Sequence, residues 1–249
     1  MPLTAALFVG CLTDQFYPRV GVATVKVLEH FGCRVTFPAA QTCCGQPLLH
    51  AGLAAEARAV ARRFVEVFES AEYVVTPSPA CASMVRERYP KLLADDAAYE
   101  AGMWHIAGRT YDVVEFLTTV VRADLTGLVL PGSRTAAYHP ACPLRTLAVP
   151  DETPRVLRQL GVALRPLPAA DVCCGFGGPF AERYPSISRT MADAKARSIG
   201  VAGADLTVCN EAGCTMTIAA AGARAGGAGR IAHVVELLAE SLGLDAERW

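Results

Sequence analysis

Eight of the ten cysteines fall into a pattern that the chain writes twice: Cys11, Cys43, Cys44 and Cys81, then Cys142, Cys173, Cys174 and Cys214. The adjacent pairs sit in "PAAQTCCGQP" (38–47) and "PAADVCCGFGGP" (168–179), copies 130 positions apart. Adjacent cysteines are awkward partners for disulfides and costly to leave free, so repeating them asks for a chemical reason. Four thiolates converging on a point suit tetrahedral sulfur chemistry, either zinc or an iron–sulfur cluster. A cluster accepts neighbouring cysteines on different irons, whereas a single zinc must take both from one dipeptide. The glycine after each pair lets the backbone approach closely, and N–H groups near the sulfurs would stabilise buried negative charge. Disulfides or inert buried thiols are the bland alternative. Ten cysteines in 249 residues is about 4%, below the ~8–10% of small disulfide scaffolds, and clustering favours metal binding or catalysis.

The remaining candidates carry less. Cys33 begins a strand after a helix-ending glycine and reads as core packing, since free cysteine is among the most buried residue types. Cys209 lies five positions before Cys214 and is a spare ligand or a packed thiol. No catalytic residue is identified, and the one candidate is His139, three positions before Cys142, which could hydrogen-bond a cluster sulfur or move a proton. His50 lies near the first Cys-Cys-Gly and could line the same edge. His30, His105 and His233 read as surface or packing residues on helical stretches. "CGFGGP" lacks the spacing and context of a dinucleotide fingerprint. Walker A, Ser-His-Asp and regular ferredoxin patterns are absent from the sequence.

These residues must be positioned by elements that are themselves repeated. "AALFVGC" (5–11) and "TAAYHPAC" (135–142) read as buried strands ending in cysteine. Helical stretches follow at 19–31 and 151–160, closed by Gly32 and Gly161. Short β-rich runs, "CRVTFP" and "VALRPLP", lead into the paired cysteines. Longer helices at 53–69 and 187–199 show apolar residues at helical spacing. A third strand comes next in each half, "YVVTPS" (73–78) and "DLTVCN" (205–210), each followed by a cysteine. "GRTYDVVEFL" (108–117) answers "GRIAHVVELL" (229–238), which makes Arg109 and Arg230 matched structural residues. The Ala/Gly-rich "AAAGARAGGAG" reads as a helix terminus and loop.

Alternating strands and helices predict an α/β chain with parallel sheets and right-handed crossovers. One strand–helix–strand unit takes ~30 residues or more, which matches the 31 residues between Cys11 and Cys43 and the 30 between Cys142 and Cys173. The expected fold is therefore two pseudo-symmetric Rossmann-like lobes from an internal duplication, 1–126 and 127–249, with a hinge near 122–134. Every key cysteine then lies just past the carboxyl end of a strand, the edge where open α/β sheets bind ligands.

Composition sets outer bounds. Net charge is −1 and 52% of residues are apolar, enough for a core and against bulk electrostatic binding to nucleic acid or an anionic membrane. No apolar run reaches the ~18–20 residues of a transmembrane segment. "MPLTAALFVGC" resembles a lipoprotein cleavage site but lacks a basic n-region, so the expected location is cytoplasmic.

The stretches "GCRVTFPAAQTCCGQP", "YHPACPLR", "CCGFGGPFAERYPSIS" and "GCTMTI" together resemble the cysteine-rich (CCG) domain family over nearly the whole chain. The family includes the CCG-bearing subunit of heterodisulfide reductase and the iron–sulfur subunits of glycolate oxidase and anaerobic glycerol-3-phosphate dehydrogenase. The likeness is greatest to its lactate-utilization members. The resemblance implies iron–sulfur ligation by the eight repeated cysteines. In the heterodisulfide reductase member a full Cys-x-x-Cys adds a fifth ligand for non-cubane clusters. This chain departs there, with Met84 and Thr217 in the last position. Four sulfurs per half suit one [4Fe–4S] cluster per lobe, or a zinc in one lobe. The lactate-utilization likeness implies an iron–sulfur electron-transfer subunit of a complex oxidising L-lactate to pyruvate. Its partners would be a ferredoxin-type iron–sulfur subunit and a further lactate-utilization subunit. A glycolate-oxidase-like or heterodisulfide-reductase-like subunit, catalysis at one open cluster edge, and a structural zinc protein are the competing readings.

Overall fold

A computed structural model describes residues 2–132, 135–149, 151–226 and 229–244. Among the described residues there are two four-stranded, wholly parallel sheets, with strands in the spatial order 34–36, 4–7, 73–76, 110–112 and 163–165, 135–139, 206–209, 230–233. The first holds β1 (Thr4–Leu7), β2 (Arg34–Thr36), β3 (Tyr73–Thr76) and β4 (Thr110–Asp112). The second holds β5 (Thr135–His139), β6 (Ala163–Arg165), β7 (Leu206–Cys209) and β8 (Arg230–His233). The pairing is equivalent in both: Ala5 lies beside Val35 and Tyr73, as Ala136 lies beside Leu164 and Leu206. The chain is thus α/β with two similar lobes.

Central strands buried on both faces read as continuous apolar runs, and Ala5 to Phe8 are all nearly inaccessible. The helix Pro18–His30 follows β1. Its Val20, Ala23, Thr24, Val27 and Leu28 are buried, the i, i+3, i+4, i+7, i+8 stripe of a one-sided helix. Proline at the first turn suits its start. Its counterpart Glu152–Gln159 buries Thr153, Val156 and Leu157. The helix predicted at 187–199 is longer, Pro185–Ala202.

Each sheet has one strand more than the sequence pattern predicts. "RTYD" and "RIAH" each supply a fourth strand, too short and too polar to stand out by alternation. They become strands because β3 and β7 offer unpaired edges to complete. This relocates His233 from a helix to a strand end. It is 3% exposed, and its Nδ1 accepts the Val235 N–H at 3.2 Å. Its Nε2 lies 3.0 Å from the Pro77 carbonyl and 2.8 Å from that of Asn210. Asp112 is its first-lobe counterpart, capping the next helix through the Val114 N–H at 2.9 Å.

The halves share one core. The second-lobe helix Val234–Ser241 packs on Pro18–His30, and Val113–Glu115 packs on Glu152–Gln159. Their side chains join one buried apolar cluster. Glu211 of the second half reaches Ser78 Oγ at 2.8 Å and the Ala80 N–H at 3.1 Å. The segment at 122–132 has no strand and buries Leu125 and Leu130 in that core. Residues 133 and 134 of the expected hinge, and 227 and 228 of the Ala/Gly-rich stretch, lie outside the described residues.

Burial raises the Asp112 carboxyl to about 7, with the nearby Glu115 and Glu211 carboxylates adding to the rise. The folded state therefore holds this proton where the unfolded chain has released it, and stability falls as pH rises from about 4 through about 7. In Asp112→Asn, which keeps a good capping side chain, the thermal midpoint is expected to vary less over that interval than in the parent.

Candidate metal centres

Each repeated cysteine follows a strand. Cys11 opens the helix Cys11–Phe16 after β1, and Cys81 lies in the helix Pro79–Ser83 after β3. Cys43 and Cys44 lie in the loop between β2 and the helix Gln46–His50. In the second half Cys142 starts a 3-10 turn after β5, and Cys214 lies in the first turn of Ala212–Arg224 after β7. Since β1 and β5 each have neighbours reached by crossovers of opposite sense, both groups occupy a topological switch point.

The thiols converge. Cys11 Sγ lies 3.6 Å from Cys43 Sγ, and Cys44 contacts both Cys43 and Cys81. In the second lobe Cys174 Sγ lies 3.2 Å from Cys214 Sγ, and Cys173 contacts both Cys142 and Cys174. All ten cysteines are free thiols. The Gly45 N–H donates to Cys43 Sγ at 3.4 Å and the Gly175 N–H to Cys173 Sγ at 3.3 Å. Contact with Cys11, then with Cys44, and the Gly45 N–H hold the Cys43 thiol far below its usual value. Contact with Cys142, then with Cys174, and the Gly175 N–H do the same for Cys173. The partners Cys11, Cys44, Cys142 and Cys174 are pushed up by the same contacts and by burial. Each lobe thus prepares one thiolate with the other sulfurs around it.

Glycine lets the cysteine-bearing loops pack closely on neighbouring backbone and sulfur. Gly45 and Gly175 have φ of +80° and +89°, and a Cβ on Gly175 would lie 2.6 Å from the Ser188 carbonyl oxygen. A Cβ on Gly10 would lie 2.7 Å from Cys81 Sγ. Soft donors in fours, backed by N–H groups and close backbone, fit an iron–sulfur cluster or zinc. Further side chains fix these loops. Gln41 Oε1 accepts the Val9 N–H at 2.9 Å, and Tyr89 Oη donates to the Cys44 carbonyl at 2.9 Å. Ser188 Oγ donates to the Gly175 carbonyl at 2.8 Å. Neither Tyr89 nor Ser188 carried any signal at the level of sequence pattern.

The other candidates separate clearly. Cys33 is buried in the shared core, away from both groups. Cys209 is fully buried in the apolar cluster that includes Cys174 and Cys214. Its thiol is raised by burial and contacts Thr215. His30, His50 and His105 are exposed. His139 is 1% exposed, and among the described residues neither ring nitrogen has a hydrogen-bond partner. A ring nitrogen and the sulfurs of Cys174 and Cys214 lie within 4.8 Å of one another. Burial, then the Lys195 charge, lowers its pKa to about 4. Met84, where a fifth thiolate would stand, is buried in the first-lobe core.

Comparison with known proteins agrees with this architecture. The Cysteine-rich domain (CCG) profile matches twice, over residues 5–86 and 136–219. "Lactate utilization protein A" of Geobacillus kaustophilus (strain HTA426) is 42% identical over 238 residues, covering 95% of this chain and 98% of that protein. The proteins of the same name from Geobacillus thermodenitrificans (strain NG80-2) and Anoxybacillus flavithermus (strain DSM 21510 / WK1) are each 40% identical. They share 95% of this chain, with 98% and 99% of their own lengths covered. A crystal structure of a hypothetical protein from Helicobacter pylori superposes with a TM-score of 0.64 at 11% identity. It covers 98% of this chain and 51% of its own, a likeness of fold. Among the described residues no helix is long and apolar enough to cross a membrane. With both repeats matched and relatives alike over nearly their full length, the chain belongs to the cysteine-rich (CCG) domain family, on the branch of the lactate utilization A proteins.

Proposed function

We propose that this chain is the iron–sulfur redox subunit of a cytoplasmic system that oxidises L-lactate to pyruvate. Its lobes, 1–126 and 127–249, would each carry a [4Fe–4S] cluster. Cys11, Cys43, Cys44 and Cys81 hold the first, and Cys142, Cys173, Cys174 and Cys214 the second. The observation that carries the reading is the convergence of four thiols at the carboxyl edge of each parallel sheet. The relatives' shared name supports lactate utilization. A bound cluster supplies a one-electron store whose potential is set by charge, hydrogen bonds and exposure.

The chain's own contribution is to bind and tune. Cys43 and Cys173 are ready thiolates held by the Gly45 and Gly175 amides, and buried apolar side chains exclude water behind them. Cys11 is exposed, so the first site reaches the surface where a ferredoxin-type subunit and a further lactate-utilization subunit could approach. One observation favours a second reading: the grouping of His139 with Cys174 and Cys214 suits a zinc in the second lobe.

Metal and sulfide analysis of anaerobically purified protein tests both. Iron and acid-labile sulfide in equal amounts, filling two clusters per chain, is the expected result. Stoichiometric zinc in both lobes without sulfide would end the redox reading, and zinc confined to the second lobe would support the mixed one.

A further inference from the structure

The two centres are built alike in their sulfurs and glycine amides and unlike in the side chains behind them. Counting from the cysteines, Phe8 stands three residues before Cys11 as His139 stands before Cys142. Asp14 follows Cys11 by three as Arg145 follows Cys142. The glycine contacts extend the correspondence. Gly45 packs on Ala57 and Val60, and Gly175 on Ser188 and Met191, which aligns Phe64 with Lys195. In the first lobe Phe8 and Phe64 meet edge to face, 4.9 Å between ring centres, in the apolar cluster that includes Cys44 and Cys81. In the second lobe the same two places hold an imidazole and an ammonium, 1% and 2% exposed.

Lys195 Nζ donates to the Ala169 carbonyl at 2.6 Å, in the loop leading to Cys173. Burial disfavours its charged form, and Cys174, Asp171, Cys142 and Cys173 favour it. His139 has an unpartnered ring beside Cys174 and Cys214. Arg145 Nη2 reaches Cys142 Sγ at 4.0 Å while donating to the Asp171 carbonyl at 2.6 Å. Asp14, the residue in Arg145's place, is an exposed carboxylate bonded to Gln15.

We propose that His139, Lys195 and Arg145 make the second-lobe centre the higher-potential of the two, so that an electron entering the chain settles in the second lobe. The inference rests on both lobes holding iron–sulfur centres. Reduction adds one negative charge to a centre. A buried ammonium, a nearby guanidinium and a ring N–H each stabilise that charge, and their effect is large where water is excluded. Phe8 and Phe64 offer no such compensation, and Asp14 brings no positive charge. These three are positioning residues for the potential, not ligands.

The test is an anaerobic spectroscopic redox titration of the parent chain, of Cys43→Ser and of Cys173→Ser, which retain one centre each. Cys43→Ser is expected to keep the higher-potential wave and Cys173→Ser the lower. In the parent background His139→Phe and Lys195→Met should each move the higher wave downward and leave the other in place, and Lys195→Met should keep the parent's iron and sulfide counts. Lys195→Arg should restore most of the shift. The reverse order of the two single-centre proteins overturns the proposal, as does a higher wave unmoved by both substitutions. Should either variant lose its second centre, the order of the single-centre proteins decides alone. Absence of iron from the parent would fell the redox reading itself, whereas two iron centres in the reverse order would fell only this inference.

Discussion

Cys43→Ser is expected to strip the first lobe of its iron and sulfide, and Cys173→Ser to do the same to the second, each leaving the other lobe's visible absorbance in place. These cysteines sit at the centre of their groups, each contacting two further sulfurs and accepting a glycine N–H. Serine keeps the volume and loses the soft, readily ionised donor that iron requires. Cys33→Ser is the control. Its thiol packs in the shared core and touches neither group, so its absorbance should match the parent. Bleaching by Cys33→Ser as deep as that by Cys43→Ser would mean that the ligand sets have been drawn wrongly. Metal counts beside the spectra separate a lost centre from a shifted absorption band.

Gly175→Ala is expected to destabilise the second lobe severely and to empty its metal site. The residue has φ of +89°, and the new methyl would meet the Ser188 carbonyl oxygen at 2.6 Å and the Met191 Cβ at 2.9 Å. The left-handed backbone alone costs an L-residue about 1–2 kcal/mol, and overpacking adds about 1–3 kcal/mol. Against a total stability of about 5–15 kcal/mol, the sum is a large share. It falls on the loop that presents Cys173 and Cys174. Gly203→Ala separates the two contributions. It has φ of +58° with nothing within 4 Å of the added carbon, so it should show the dihedral cost with full metal content. Equal melting temperatures and equal metal content in the two variants would remove the steric argument.

Much of this was readable in the chain. The duplication, the parallel α/β class and the six strands of the first three positions in each half follow from short apolar runs punctuated by helices and turns. The fourth strands did not, because "RTYD" and "RIAH" lack a pattern of their own and exist as completions of an open edge. His233 was misplaced for the same reason. Tyr89, which holds the Cys44 carbonyl from 45 residues away, and Ser188, bonded to Gly175, had no local signature.

The sequence determined by itself which sulfurs belong together, since the type and spacing of cysteines are covalent facts and a strand–helix–strand unit has a fixed length. It also singled out His139 as the histidine to watch. The tertiary structure alone decided what lies behind each group of sulfurs. Phe64 and Lys195 are ordinary members of amphipathic helices until the helices dock, when one closes an aromatic cluster and the other becomes a buried charge beside the second group of sulfurs. Charge and burial act through space and grow as water is excluded, so they depend on packing that no stretch of sequence contains.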